Sequence, residues 1–303
     1  MILTCETRKP TRSVCIRDVT VGGEAPIRVQ TMVKQPTTNA VGVLKEIERT
    51  ACVVPGNLGE REILVLKELN LWEDALRCGP FRCDITRVSV PDRDSVEPFG
   101  EIVAESPLPV VADIHFHALL ALAALEKGCH KLRINPGNIS DPGLIREIAQ
   151  ESIRRKVPIR VGVNAGSLQK DLLERYGPHS AEALAESARR SVEILENEGC
   201  RDLVVSLKAN SAKLTIAAYR LMAKQCAYPL HLGVTEAGFG RAAVINSWAG
   251  IGVLLREGIG DTLRISLTED PALEVVTGGL LLEYLGLRGQ ETTAPSSTGR
   301  GLG

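Results

Sequence analysis

Five short apolar runs carry a cation in their interior or at their end. They are Thr86-Arg87-Val88-Ser89-Val90, Lys131-Leu132-Arg133-Ile134-Asn135, Ile159-Arg160-Val161-Gly162-Val163-Asn164, Leu203-Val204-Val205-Ser206-Leu207-Lys208 and Leu263-Arg264-Ile265-Ser266-Leu267. In a strand, alternate residues share a face. Arg87 then lies with Ser89, Arg133 with Asn135, Arg160 with Asn164, and Arg264 with Ser266. Several buried cations aimed one way are costly unless an anion sits between them. The chemistry they suit is the grip of a polyanion, most simply a diphosphate, because guanidinium's fixed fork of donors matches phosphate oxygens. A rim of surface charge is the plainer reading. It would put the arginines outside the apolar runs, and these lie within them.

Other groups at run ends extend the set. Asp113-Ile114-His115-Phe116-His117 puts an aspartate and two histidines on one strand face. Metal ligation from one strand rarely makes a site, so no metal is assigned, and His115 is read as a hydrogen-bond donor to a ligand. Glu236 follows His231-Leu232-Gly233-Val234-Thr235 and is the carboxylate best placed for proton transfer. Nearby cations would favour its ionised form; a structural ion pair is the plainer role. Asn135-Pro136-Gly137, Asn164-Ala165-Gly166 and Glu236-Ala237-Gly238 are glycine turns that let a ligand approach backbone and helix N-termini.

The elements that must hold these residues alternate. Strands are expected at 27–32, 85–90, 109–114, 131–135, 159–164, 203–209, 230–235 and 262–267. Helices are expected at 40–49, 118–127, 142–156, 168–176, 181–199, 211–226, 241–257 and 271–285. A hairpin, 13–17 against 19–21, precedes them. Strand-helix alternation implies parallel strands with right-handed crossovers. Eight such units over roughly 250 residues is the size of a (β/α)8 TIM-type barrel. A doubly wound open sheet is the alternative. Polar residues cluster at the C-terminal ends of nearly every strand, whereas an open sheet concentrates its site at one switch point, so the barrel is preferred.

Composition narrows the function classes. The chain has 303 residues, 44% hydrophobic but only 3% aromatic, so its core is aliphatic. A net charge of −1 offers no bulk attraction to nucleic acid or an anionic membrane. No apolar run approaches the ~20 residues of a membrane span, and a cytoplasmic location is expected. The eight cysteines, at 5, 15, 52, 78, 83, 129, 200 and 226, form no Cys-x-x-Cys pair and read as free thiols. Two stretches break the rhythm. Residues 50–83, with a helix expected at 60–76, read as an insertion in the first crossover, outside the barrel. Residues 289–303, rich in Thr, Ser and Gly, read as a disordered tail after a barrel spanning 1–288.

Taken in order, several stretches resemble the barrel domain of the 4-hydroxy-3-methylbut-2-enyl diphosphate synthase family of the non-mevalonate isoprenoid pathway. They are Val29-Gln30-Thr31-Met32, Arg87-Val88-Ser89-Val90-Pro91-Asp92, Ala112-Asp113-Ile114-His115-Phe116, Leu132-Arg133-Ile134-Asn135-Pro136-Gly137-Asn138, Arg160-Val161-Gly162-Val163-Asn164-Ala165-Gly166-Ser167, His231-Leu232-Gly233-Val234-Thr235-Glu236-Ala237-Gly238 and Gly260-Asp261-Thr262-Leu263-Arg264-Ile265-Ser266-Leu267. The resemblance implies a barrel that holds 2-C-methyl-D-erythritol 2,4-cyclodiphosphate. Arg87, Arg133, Arg160, Lys208 and Arg264 would grip its phosphates. Asp113, His115, Asn135, Asn164 and Ser266 would add hydrogen bonds, and Glu236 would be the acid/base residue. It also implies a 4Fe-4S cluster, a ferredoxin or flavodoxin as electron donor, and a homodimer whose cluster domains cap the partner barrels. The family's Cys-Pro-x-Cys arrangement is not found in this chain, so the chain is expected to bind the cyclodiphosphate and not to reduce it alone. The other reading is a non-catalytic barrel that binds a diphosphate ligand or a partner.

Overall fold

A computed structural model describes residues 7–114, 117–235 and 237–289. The chain opens with a hairpin, β1 (Val14–Ile16) against β2 (Val19–Val21). The first barrel strand is β3 (Arg28–Met32), followed by helix α1 (Ala40–Ala51). Next come β4 (Cys52–Val53), α2 (Glu60–Glu68), α3 (Trp72–Cys78) and β5 (Phe81–Arg82). The alternation then runs β6 (Ile85–Ser89), α4 (Val96–Glu105), β7 (Val110–Asp113), α5 (Leu119–Glu126), β8 (Lys131–Ile134), α6 (Pro142–Arg155) and β9 (Ile159–Asn164). It ends with α7 (Lys170–Tyr176), α8 (Ala181–Asn197), β10 (Leu203–Lys208), α9 (Ala212–Gln225), β11 (His231–Leu232), α10 (Gly240–Arg256), β12 (Thr262–Leu263) and α11 (Pro271–Tyr284).

Eight strands pair in parallel in the order β10-β9-β8-β7-β6-β3-β12-β11. The two ends meet through a parallel bridge between Val205 and Leu230. The Val205 N–H donates to Pro229 O at 2.9 Å, and the Thr235 N–H donates to Ala209 O at 3.0 Å. The sheet thus curls into the expected (β/α)8 barrel, and residues alternate between the helix layer and the interior. The outward residues, such as Val88, Ala112, Leu132, Val161 and Leu207, join the main aliphatic core against the helices. Ile16 and Val21 of the hairpin form a separate apolar cluster with Ile85 and Val111. That cluster closes the N-terminal end of the barrel, so the interior opens at the C-terminal ends of the strands.

Three local features differ from the sequence-based expectation. Helix α4 was not expected, because Pro98 and Gly100 break the helix-forming run. Pro98 falls in the first turn, where its missing N–H has no partner to lose. Phe99, Ile102 and Val103 then supply a buried stripe. The 60–76 helix is two helices, split near Asn70, whose φ is +55°. The last two strands are shorter as ladders than expected, which frays the barrel at its mouth.

The 50–83 stretch is ordered and packs on α11. Strands β4 and β5 pair antiparallel, and Phe81 is fully buried. A Cβ on Gly279 of α11 would lie 2.3 Å from Phe81 Cδ1, so only glycine leaves room for the ring. The Arg288 guanidinium lies over that ring, 4.9 Å from its centroid, and the Tyr284 hydroxyl donates to Asp74. No helix among the described residues is long and apolar enough to cross a membrane.

Candidate functional site

Among the described residues, the buried lysines and arginines are Arg87, Lys131, Arg133, Arg160, Lys208 and Arg264. All lie on barrel strands or directly after one, on the interior face. The register explains the convergence: Asp113 pairs with Arg133 and Arg133 with Arg160, so neighbouring strands aim these side chains together. Asp113 and Glu274 are the buried carboxylates bonded to them. Asp113 accepts from Arg133 Nη1 at 3.3 Å and lies 3.4 Å from Arg87 Nε. Glu274 takes Arg264 in a two-pronged pair, both contacts at 3.0 Å, and also accepts from the Thr31 hydroxyl at 2.7 Å and the Leu267 N–H at 3.1 Å.

Small residues and sulfur make room for these heads. A Cβ on Gly162 would lie 2.5 Å from Arg133 Nε, and one on Gly233 would lie 3.0 Å from Lys208 Nζ. Arg133 Nη2 donates to Gly162 O at 3.2 Å. Arg87 contacts the Met32 sulfur through Nη2 at 2.8 Å. Arg160 is 1% exposed, yet its Nε and Nη1 have no partner. Donors held dry and unpaired are poised for an acceptor that enters from the mouth.

A second layer lies below. Lys131 Nζ approaches Gln30 Oε1 at 3.3 Å, and His231 Nδ1 shares a 2.7 Å hydrogen bond with Thr262 Oγ1. Gln30 Nε2 and His231 Nε2 are buried without partners. Burial and the crowding of positive charge disfavour a further cation in this interior. Burial pushes Arg87 down to about 10, against the pull of Asp113. Burial, then the neighbouring arginines, pushes Lys131 and Lys208 well below the ordinary lysine range. His231 is likewise driven down by burial and then by Arg160, Lys208 and Lys131.

The sequence-based set divides as follows. Arg87, Asp113, Arg133, Arg160, Lys208 and Arg264 are brought together in the interior. Asn135, Asn164 and Ser266 are half-buried, each at or just past a strand end. Asn135 Oδ1 is enclosed without a partner. His115 and Glu236 lie outside the described residues. Gln30, Lys131, His231, Thr262 and Glu274 were missed. The first four obey the same alternation as the chosen residues and were legible from it. Glu274 comes in from a helix, and no strand pattern announces it. His130 is half-buried, with Nδ1 accepting the Val110 N–H at 2.9 Å. Seven cysteines are described and all are free thiols, and no group of three or more metal-ligating side chains occurs among the described residues.

Comparison with known proteins agrees with the barrel fold. The family model described as the GcpE TIM-barrel domain matches residues 72–279. The 4-hydroxy-3-methylbut-2-en-1-yl diphosphate synthase (flavodoxin) of Aquifex aeolicus is 43% identical over 295 residues, covering 97% of this chain and 75% of that protein. The protein of the same name from Magnetococcus marinus is 44% identical over 281 residues, covering 93% and 68%. Among solved structures, a type I 3-dehydroquinate dehydratase from Clostridium difficile superposes with a TM-score of 0.56 at 12% identity, covering 91% of this chain and 97% of that one. A dihydropteroate synthase from Stenotrophomonas maltophilia gives a TM-score of 0.53 at 13% identity, covering 88% and 96%. These two likenesses speak to the barrel fold alone. The sequence relatives speak to more, and the chain belongs to the 4-hydroxy-3-methylbut-2-en-1-yl diphosphate synthase family through its GcpE TIM-barrel domain.

Proposed function

We propose that this barrel binds 2-C-methyl-D-erythritol 2,4-cyclodiphosphate in the cytoplasm and presents it for reductive ring opening to 4-hydroxy-3-methylbut-2-enyl diphosphate in isoprenoid biosynthesis. The observation that carries the reading is the excess of buried cations over carboxylates at one barrel mouth, with Arg160 donors left open. Arg87, Arg133, Arg160, Lys208 and Arg264 hold the phosphates. Asp113 orients Arg87 and Arg133, and Glu274 orients Arg264, so each guanidinium arrives with its fork already aimed. Asn135, Asn164, Ser266 and His115 bond the remaining ligand oxygens. Glu236, which follows β11 in the sequence, acts as the acid/base residue.

The family's 4Fe-4S cluster supplies the two electrons when it is bound. The described cysteines do not fit it. They are scattered over separate elements, and burial pushes the Cys83 and Cys129 thiols up to about 12. A cluster needs thiolates gathered at one place. The reducing step therefore belongs to residues other than the described ones, and the barrel's part is binding and orientation. The relatives' names point to flavodoxin as donor, with ferredoxin as the other candidate, and we extend the family's homodimer to this chain.

Calorimetry with the cyclodiphosphate tests the cradle. Arg133→Ala and Arg264→Ala are each expected to weaken binding by about 1.5–3 kcal/mol, the scale of a charge-assisted hydrogen bond. Unchanged affinity in both variants refutes the assignment.

A further inference from the structure

Lys131 is the buried cation that the ligand reading leaves without a task. It starts β8, two residues before Arg133 and on the same face, so it lies one layer deeper in the barrel. Its side chain is completely enclosed, and its hydrogen-bond partner is the neutral Gln30 Oε1 at 3.3 Å. Among the described residues, the groups that act on it are cations or uncharged. Arg160 comes from β9, Arg87 from β6 and His231 from β11. Lys208, Arg133 and Arg264 lie in the layer above. The two carboxylates bonded within the cradle are already engaged, Asp113 by Arg87 and Arg133, Glu274 by Arg264. An ammonium enclosed here, with no carboxylate bonded to it among the described residues, is costly.

We propose that Lys131 is neutral in the empty barrel and takes a proton from solvent when a diphosphate enters the cradle above it. The inference rests on the proposed function. The choice among the cations follows from chemistry. Arginine holds its proton throughout the range in which proteins are stable, whereas a buried lysine discharges readily. Lys208 is the other lysine, but it ends β10 and is 7% exposed, so it can meet the ligand directly, whereas Lys131 is fully enclosed. Burial and the arginines displace Lys131 in the same direction as the geometry. A dianion arriving overhead reverses the local potential and favours the ammonium. The barrel thereby matches its charge to its ligand. This matters for a ring opening, because a cyclic diphosphate carries two ionised oxygens and an open terminal diphosphate carries up to three.

The sign of the linkage is fixed. Uptake occurs where pH lies between the Lys131 pKa values of the empty and the loaded barrel. In that window the affinity falls as pH rises, by up to about tenfold per unit. The test is calorimetric titration of the whole chain with the cyclodiphosphate at neutral pH, in buffers of different ionisation enthalpy. The phosphate hydroxyls of that ligand are strong acids and already ionised, so any proton taken up goes to the protein. The expected result is a heat that varies with the buffer, and a Lys131→Met variant that still binds but loses most of the variation. Buffer-independent heat in the parent chain overturns the inference while leaving the binding role standing. Full variation in Lys131→Met overturns it too, and moves the proton to His231 or Lys208. Absence of binding in every buffer overturns both readings. Should Lys131→Met fail to fold, the parent chain's affinity between neutral and alkaline pH decides the matter, and a flat profile refutes the proposal.

Discussion

Gly162→Ala should cripple the cradle without touching a charge. Gly162 lies in β9 with φ outside the left-handed region, so the backbone itself accepts alanine. The obstacle is Arg133. The new methyl would lie 2.5 Å from its Nε, 3.0 Å from Nη2 and 3.1 Å from Cζ. Carbon and nitrogen settle at about 3.5 Å, so the guanidinium must retreat by about 1 Å. It cannot retreat and keep its present bonds, Nη2 to Gly162 O at 3.2 Å and Nη1 to Asp113 Oδ1 at 3.3 Å. A displaced head loses its aim at the ligand, and a charge-assisted hydrogen bond is worth about 1.5–3 kcal/mol. The Kd for the cyclodiphosphate should rise by roughly 10- to 100-fold. Calorimetry reads the Kd, and circular dichroism checks that the barrel remains folded. If Gly162→Ala folds and binds as tightly as the parent chain, Arg133 is not held by this wall, and the account of how the cradle is pre-aimed is wrong.

Two further outcomes test the packing. Gly279→Ala presses a methyl onto Phe81, at 2.3 Å from Cδ1, and should lower stability by about 1–3 kcal/mol in urea unfolding; an unchanged midpoint would mean that the 50–83 segment does not dock on α11. At pH 8, an aromatic disulfide reagent should label the exposed Cys15 and Cys52 quickly. Cys83 and Cys129, buried with thiols pushed up to about 12, should wait for unfolding; rapid labelling of these two in the native chain would contradict their burial.

The barrel and most of its cradle were legible in the sequence, and the reason is local. A strand's period of two makes inward residues readable from the chain alone, so Arg87, Arg133, Arg160 and Arg264 declared a shared face before any contact was known. Branched aliphatics around them marked the runs as strands, and the ordered set of strand-end motifs carried the family. The same period also announced Lys131 and His231, which went unselected because neither stands at a strand's C-terminal end.

Other features depend on which elements meet, and only tertiary structure decided those. Glu274 pairs with Arg264 because α11 folds back over β3 and β12, and nothing in the local sequence of α11 encodes that partner. The 50–83 stretch looked detached because the gap between the first two strands is longer than one crossover needs. Its burial comes from Gly279 and Arg288, some 200 residues further along. Which cations are paired and which are left open is likewise set by distance in the folded barrel. Alternation puts Asp113 and the arginines on one face; the barrel's curvature brings Arg87 and Arg133 within reach of Asp113 and leaves Arg160 with donors to spare. The sequence determined the charges and the faces they occupy. Closure of the sheet decided which of them neutralise one another, because electrostatic and hydrogen-bond energies depend on separations that strand order alone does not contain.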